Sequence, residues 1–273
     1  MASDSKQVAL DLSPFFRLFT DRTIHRMIPD DFLPPSDHPN APVRSKDVVL
    51  HPHTGNFVRV YARPTRICPT NSPLSLAPEN PLPIPFDDSW AAFQWIAAHA
   101  DGTGPEPWLN DYADFRRVFV GGESAGATIA SDVAIRAGVH DFQNLQILGL
   151  FLLHPFFGGK EEDKLYKFLC PSSSSRDDDP RLNPAVDPRI ERMVRRVIFF
   201  VAEKDQLREG GRGYFEALKK SGWRGDAEIM ETEGEGHCFY LFNPTCEKAV
   251  AIMDRLLAFL RVHIKPQVFH RGA

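Results

Sequence analysis

The chain has 273 residues, a formal net charge of −4 and an ordinary share of apolar residues. That length fits one large domain or two small ones, and the mild, evenly spread acidity speaks against nucleic acid or an anionic membrane as partner. No apolar run is long enough to span a bilayer. The opening MASDSKQVALDLSPFF has neither a secretory h-region nor an Arg-rich transit pattern, so a cytosolic protein is expected. Cys68, Cys170, Cys238 and Cys246 form no CxxC pair and no metal spacing, and read as reduced structural thiols. His51 and His53 lack a third ligand nearby, so no metal is expected there.

In chain order, FFRLFTDRTIHRM (15–27) alternates on both sides of Asp21 and Arg22 and predicts a hairpin. PDDFLPPSDHPNAPV is a Pro-rich surface connection. KDVVLHPHTGNFVRVYARP predicts two short strands around Thr54 and Gly55. TRICPTNSPLSLAPENPLPIPF carries six prolines and no strand period, and is expected to be mostly irregular. From residue 87 the pattern becomes α/β. DDSWAAFQWIAAHA predicts a helix with Asp87 as N-cap and Trp90, Phe93, Ile96 and Ala97 at helical spacing. RRVFV is a short buried strand, and ESAGATIASDVAIRAG a helix closed by Gly138. LQILGLFLLHP is a near-continuous apolar strand of the kind covered on both faces. CPSSSSRDDDPRLNP is a polar, flexible stretch, and its Asp177–Asp179 run reads as solvated loop rather than metal ligand. RRVIFFVAEKDQL, GYFEALKKSGW, DAEIMETEGEGHCF and CEKAVAIMDRLLAFLRVHI predict a strand, a helix, a strand with its loop, and a long amphipathic helix. Strands alternating with helices predict a mostly parallel sheet flanked by helices.

In such a sheet the loops at the carboxyl ends of the strands converge on one edge. Three of them carry reactive side chains. Gly122-Glu123-Ser124-Ala125-Gly126 follows RRVFV and opens a helix. The glycines are expected to leave room for a sharp turn that exposes Ser124. The turn also sets the Ala125 N–H at a helix start, where backbone donors favour an oxyanion. A serine hydroxyl needs a base, and the base an orienting acid. Asp205 and His237 follow in the next two loops, 81 and 32 residues further on, with Glu203 as an alternative acid. The bland readings are a structural turn for Ser124, a helix N-cap for Asp205 and a surface loop for His237.

Taken together, LAPENPLPIPFDDSWAAFQWIAAH, PWLNDYADFRRVFVGGESAGATIA, HPFFGG, DPRLNP, VAEKDQLREGG, YFEALKKSGW and TEGEGHCFYLFNP resemble a plant carboxylesterase of the hormone-sensitive-lipase-like α/β-hydrolase family. With DLSPFFRLFTDRTIHRM they cover most of the chain. The resemblance implies a single α/β-hydrolase domain over 1–273, with residues 1–45 as an N-terminal hairpin and cap. It implies Ser124 as nucleophile, His237 as base, Asp205 as acid, Ala125 as oxyanion donor, and Gly122 and Gly126 as the elbow glycines. It implies a small ester as substrate and no cofactor or metal, and leaves the oligomeric state open. HPFFGG and HCFYLF could line an acyl pocket, though aromatics there are more often core.

The sequence also departs from the family. No H-G-G tripeptide occurs in it, and that motif supplies the family's other oxyanion donors. A strand–crossover–strand unit takes roughly 30 residues or more, and none fits between Tyr61 and Leu76. Two central strands are therefore expected to be missing, through a natural deletion, an alternative transcript or a misjoined gene prediction. The loss of one oxyanion donor costs on the order of 100- to 1,000-fold in turnover. The departure also raises an impaired, ligand-binding hydrolase homologue as an alternative. Gibberellin receptors of the superfamily lack the triad histidine, which is present here as His237. A 2-hydroxyisoflavanone-dehydratase-like lyase is a further alternative, although that group can carry threonine where Ser124 stands.

Overall fold

The computed structural model describes residues 7–12, 16–21, 23–27, 34–38, 41–51, 56–63, 66–72, 81–158, 170 and 178–261. The expected turn at Thr54 and Gly55, Asp177, most of the serine-rich stretch and the end of the last helix lie outside them. Near the N-terminus β1 (Val8–Leu12), β2 (Phe16–Phe19) and β3 (Ile24–Arg26) form an antiparallel sheet. The expected hairpin is its second half, closed where the Thr23 N–H donates to Asp21 Oδ1 at 2.9 Å.

A second antiparallel sheet joins β4 (Arg44–His51), β5 (Asn56–Arg63) and β6 (Arg66–Ser72) in that order. Val58, Val60 and Ala62 of β5 are buried, as period-2 alternation requires. Strand β6 corrects the expectation of irregular chain. Its Pro69 sits opposite Val60 on an edge strand, where a missing N–H costs no inner ladder bond.

The C-terminal half is built on a four-stranded parallel sheet in the order β10-β9-β8-β7. The strands are β7 (Val118–Glu123), β8 (Ile147–Leu153), β9 (Arg196–Ala202) and β10 (Asp226–Thr232). The helices are α1 (Ile84–Ala97), α2 (Pro107–Tyr112), α3 (Ala125–Gly138), α4 (Arg208–Lys220), α5 (Phe239–Phe242) and α6 (Glu247–Leu260). Val197 and Phe199 of β9 face a core built with α3 and α4, including Ala130, Ala134, Tyr214 and Leu218. Ile198 and Phe200 face the opposite core, with Ile252 and Phe259 of α6. Both faces are therefore apolar, which explains the unbroken IFFVA run. No helix among the described residues is long and apolar enough to cross a membrane.

Three local readings are corrected. Helix α1 starts at Ile84 with Pro85 in its first turn, so Asp87 is not the N-cap. Proline's fixed φ suits a helix start, and Asp87 instead pairs with Arg136 of α3 at 3.0 Å. Gly138 is the last residue of α3 rather than a left-handed cap. It is small because a Cβ there would lie 2.0 Å from the Arg192 carbonyl oxygen. Asp179 is buried and held in a two-pronged pair with Arg181, not solvated.

The described parallel sheet ends at β7. Strand β7 pairs with β8 on one edge and with no described strand on the other. The antiparallel sheet shares no ladder with it. Its inner face packs instead on α1, α2 and the start of β7, through Val58, Val60, Ala92, Leu109 and Val118.

Candidate active site

Ser124 stands between β7 and α3 with φ 53° and ψ −122°, outside the regions open to most non-glycine residues. Such strain persists only where neighbours hold it. The Ser124 N–H donates to Leu153 O at 2.9 Å, and the Phe156 N–H donates to Ser124 O at 3.2 Å. Thr128 Oγ1 donates to Phe156 O at 2.6 Å. The exit of β8 thus clamps the turn. A Cβ on Gly122 would lie 2.2 Å from Gly126 O, so that glycine is required. Gly126 is not crowded in the same way: among the described residues nothing lies within 4 Å of a Cβ built there. Ala125 is exposed at the start of α3, and its N–H has no acceptor among the described residues.

The exits of β9 and β10 bring the other two predicted residues to this turn. His237 Nε2 lies 3.0 Å from Ser124 Oγ, and His237 Nδ1 lies 2.7 Å from Asp205 Oδ2. These distances put the ring proton on Nδ1 and the acceptor lone pair on Nε2. Asp205 Oδ1 accepts the Leu207 N–H at 2.9 Å, so one carboxylate serves both the turn into α4 and the histidine. Glu203 faces elsewhere, accepting the Gly234 N–H at 2.6 Å. The His237 loop is further tied down by Tyr240, whose hydroxyl donates to Glu123 Oε2 at 2.9 Å.

Burial alone would raise the Asp205 carboxyl, but its hydrogen bonds outweigh burial and hold it well below the usual carboxylate range. His154 is the residue that sequence reasoning missed. Its Nδ1 is 3.3 Å from Asp205 Oδ2 and 2.9 Å from the Cys238 N. One ring nitrogen cannot both donate and accept in its plane. The shorter contact assigns Nδ1 as acceptor of the Cys238 N–H, so the bonds that lower Asp205 come from His237 and Leu207. Its only trace in the sequence is its place in HPFF at the exit of β8, the sheet edge that also carries the other reactive loops.

His154, His237 and Cys238 place three possible metal-ligand atoms within 4.8 Å of one another. They do not suit a metal. Both His237 nitrogens and His154 Nδ1 are engaged, and burial, reinforced by Glu123, pushes the Cys238 thiol up to about 12. A cavity of about 560 Å³ opens beside His237, lined by Gly236, Phe239, Phe242, Asn243 and Cys246. Phe242 is 85% exposed, whereas Phe157, Phe239 and Tyr240 are buried core.

The chain matches the α/β-hydrolase fold family over residues 51–241. It is 36% identical to "Probable carboxylesterase 2" of Arabidopsis thaliana, over 95% of this chain and 98% of that one. It is 34% identical to "Probable carboxylesterase 1" of the same plant, over 93% and 98%. It is 29% identical to "2-hydroxyisoflavanone dehydratase" of Glycyrrhiza echinata, over 94% and 97%. Among solved structures, carboxyl esterase 2 of the fungus Tuber melanosporum shares the fold at TM-score 0.64 and 16% identity, covering 83% of this chain and 90% of that one. The alignment with carboxylesterase 1 spans 311 positions, while 93% of 273 residues is about 254. About 57 positions therefore hold no residue of this chain, enough for the strand–crossover–strand unit that the sequence lacks. The family match and the near-complete coverage of these relatives show that the chain belongs to the α/β-hydrolase fold family, in its plant carboxylesterase group.

Proposed function

We propose that this protein is a serine carboxylesterase that hydrolyses small carboxylic esters through Ser124, His237 and Asp205. One observation carries the assignment of roles: an unbroken hydrogen-bonded line from Ser124 Oγ to His237 at 3.0 Å and on to Asp205 at 2.7 Å. Ser124 Oγ attacks the ester carbonyl while His237 Nε2 takes its proton. The Ala125 N–H faces the developing oxyanion. His237 then returns the proton to the leaving alcohol, and water, activated by the same nitrogen, releases the acid. Asp205 stays ionised, fixes the Nδ1–H tautomer and stabilises the imidazolium. No cofactor enters this scheme. With the H-G-G donors absent, turnover is expected on the order of 100- to 1,000-fold below that of a relative carrying them.

The proposal includes one α/β-hydrolase domain over 1–273 and a cytosolic location, supported by free thiols at Cys170, Cys238 and Cys246. A dehydratase reading draws on the relative of that name. Hydrolysis of p-nitrophenyl butyrate, measured beside Ser124→Ala, separates the readings. Turnover abolished by the substitution supports the esterase, and turnover that survives it refutes the assigned nucleophile.

A further inference from the structure

We propose that His154 is a positioning residue for this triad: from a buried site its ring Nδ1 accepts the Cys238 N–H while its backbone N–H donates to Phe200 O, and so it ties the histidine loop to the strand that leads into the acid loop. The inference rests on the triad reading above.

His154 is 1% exposed, with a left-handed backbone at φ 46°. Its turn touches the loops of all three triad residues. The His154 N–H donates to Phe200 O of β9 at 2.8 Å, two residues before that strand ends and the acid loop begins. Its neighbours Leu153 and Phe156 clamp Ser124. Its ring accepts the N–H of Cys238, the residue next to the triad histidine, and lies 5.7 Å from the His237 ring. Facing Asp205 with a lone pair at 3.3 Å, it leaves His237 the only ring that donates to Oδ2 among the described residues.

A comparison with His99 argues against a merely structural role. His99 is equally buried, and both its ring nitrogens are engaged, by Trp95 O and by the Glu106 N–H. His154 Nε2 is buried with no hydrogen-bond partner among the described residues, enclosed by the Tyr240 and Phe239 rings. An unpaired buried polar atom is costly. An apolar ring would fill the same space at less cost, so the imidazole must be held for what Nδ1 does.

The test compares wild type, His154→Ala and His154→Asn. Asparagine keeps a polar atom at the δ position and tolerates the left-handed backbone. Each protein is checked for folding by thermal unfolding. Its kcat and KM on p-nitrophenyl butyrate are measured, and so is the low-field proton resonance of the His237–Asp205 hydrogen bond. His154→Ala is expected to lower kcat by about 10- to 100-fold, the scale of a small misplacement. KM should stay within about twofold and the low-field proton should broaden or vanish. His154→Asn should keep the resonance and most of kcat. A folded alanine variant with wild-type kcat and resonance would overturn the proposal. If alanine prevents folding, asparagine decides alone: a folded variant without the low-field proton rejects the role given to the δ atom, and one that retains it supports that role. If wild type shows the resonance but no turnover, the esterase reading fails while the resonance still tests His154.

Discussion

Strands β9 and β7 belong to one sheet but live in different surroundings. Strand β9 is paired on both edges and covered on both faces, and every residue from Val197 to Ala202 is buried. Strand β7 leads into Ser124, the proposed nucleophile, yet it has one described neighbour, and each of its residues is at least partly exposed. Asp205 therefore leaves the strand that is packed on all sides, whereas Ser124 and His237 leave the two outer strands, β7 and β10, each with one described neighbour. The difference teaches that the elbow does not depend on the strand beyond β7. Leu153, Phe156 and Thr128 hold it from the β8 side. Among the described residues, the space around Gly126 is open and Ala125 is exposed.

The largest effect is expected on the intact side. Asp205→Asn should keep the fold and lower kcat by about 10,000-fold, because the amide no longer enforces the Nδ1–H tautomer. Steady-state kinetics on a p-nitrophenyl ester checks this. A smaller gain is expected from repair of the other side. Inserting a strand–crossover–strand unit that carries an H-G-G motif should raise kcat by roughly 100- to 1,000-fold. An unchanged kcat in a folded insertion variant would mean that other groups already supply the oxyanion donors.

Stability sharpens the contrast on a finer scale. Phe199→Ala in β9 should cost about 3–5 kcal/mol, the usual range for emptying a packed aromatic site. Val120→Ala in half-exposed β7 should cost about 1 kcal/mol. Chemical denaturation of both variants reads the difference, and equal losses would contradict the picture of one tight and one loosened half. The smallest effect is on acid stability. The Asp205 carboxyl is depressed in the folded state, so its contribution is complete above the ordinary carboxylate range and is lost as pH falls below about 4. Asp205→Asn should therefore flatten the fall of Tm on acidification relative to wild type.

Much of this was legible in the sequence because local physics wrote it there. Strand β9 must be apolar on both faces, so IFFVA stands out. The order of Ser124, Asp205 and His237 follows from the order of the strand exits. Strand β6 was not legible, since its pairing with β5 is a tertiary event that tolerates Pro69 only because the strand is an edge. The short α2 was missed too: it has one buried anchor, Leu109, and too few residues for a helical period to show. His154 was hidden for a different reason. A histidine after an apolar strand looks like any other, and its meaning comes from Asp205 and Cys238, 51 and 84 residues away.

The most direct test of the central claim, that a competent triad survives beside an interrupted sheet, is covalent labelling with a fluorophosphonate followed by peptide mass mapping. The account predicts a single adduct on the peptide carrying Ser124, absent in Ser124→Ala and strongly slowed in Asp205→Asn. A folded wild-type protein that stays unmodified, or that is labelled elsewhere, would contradict it.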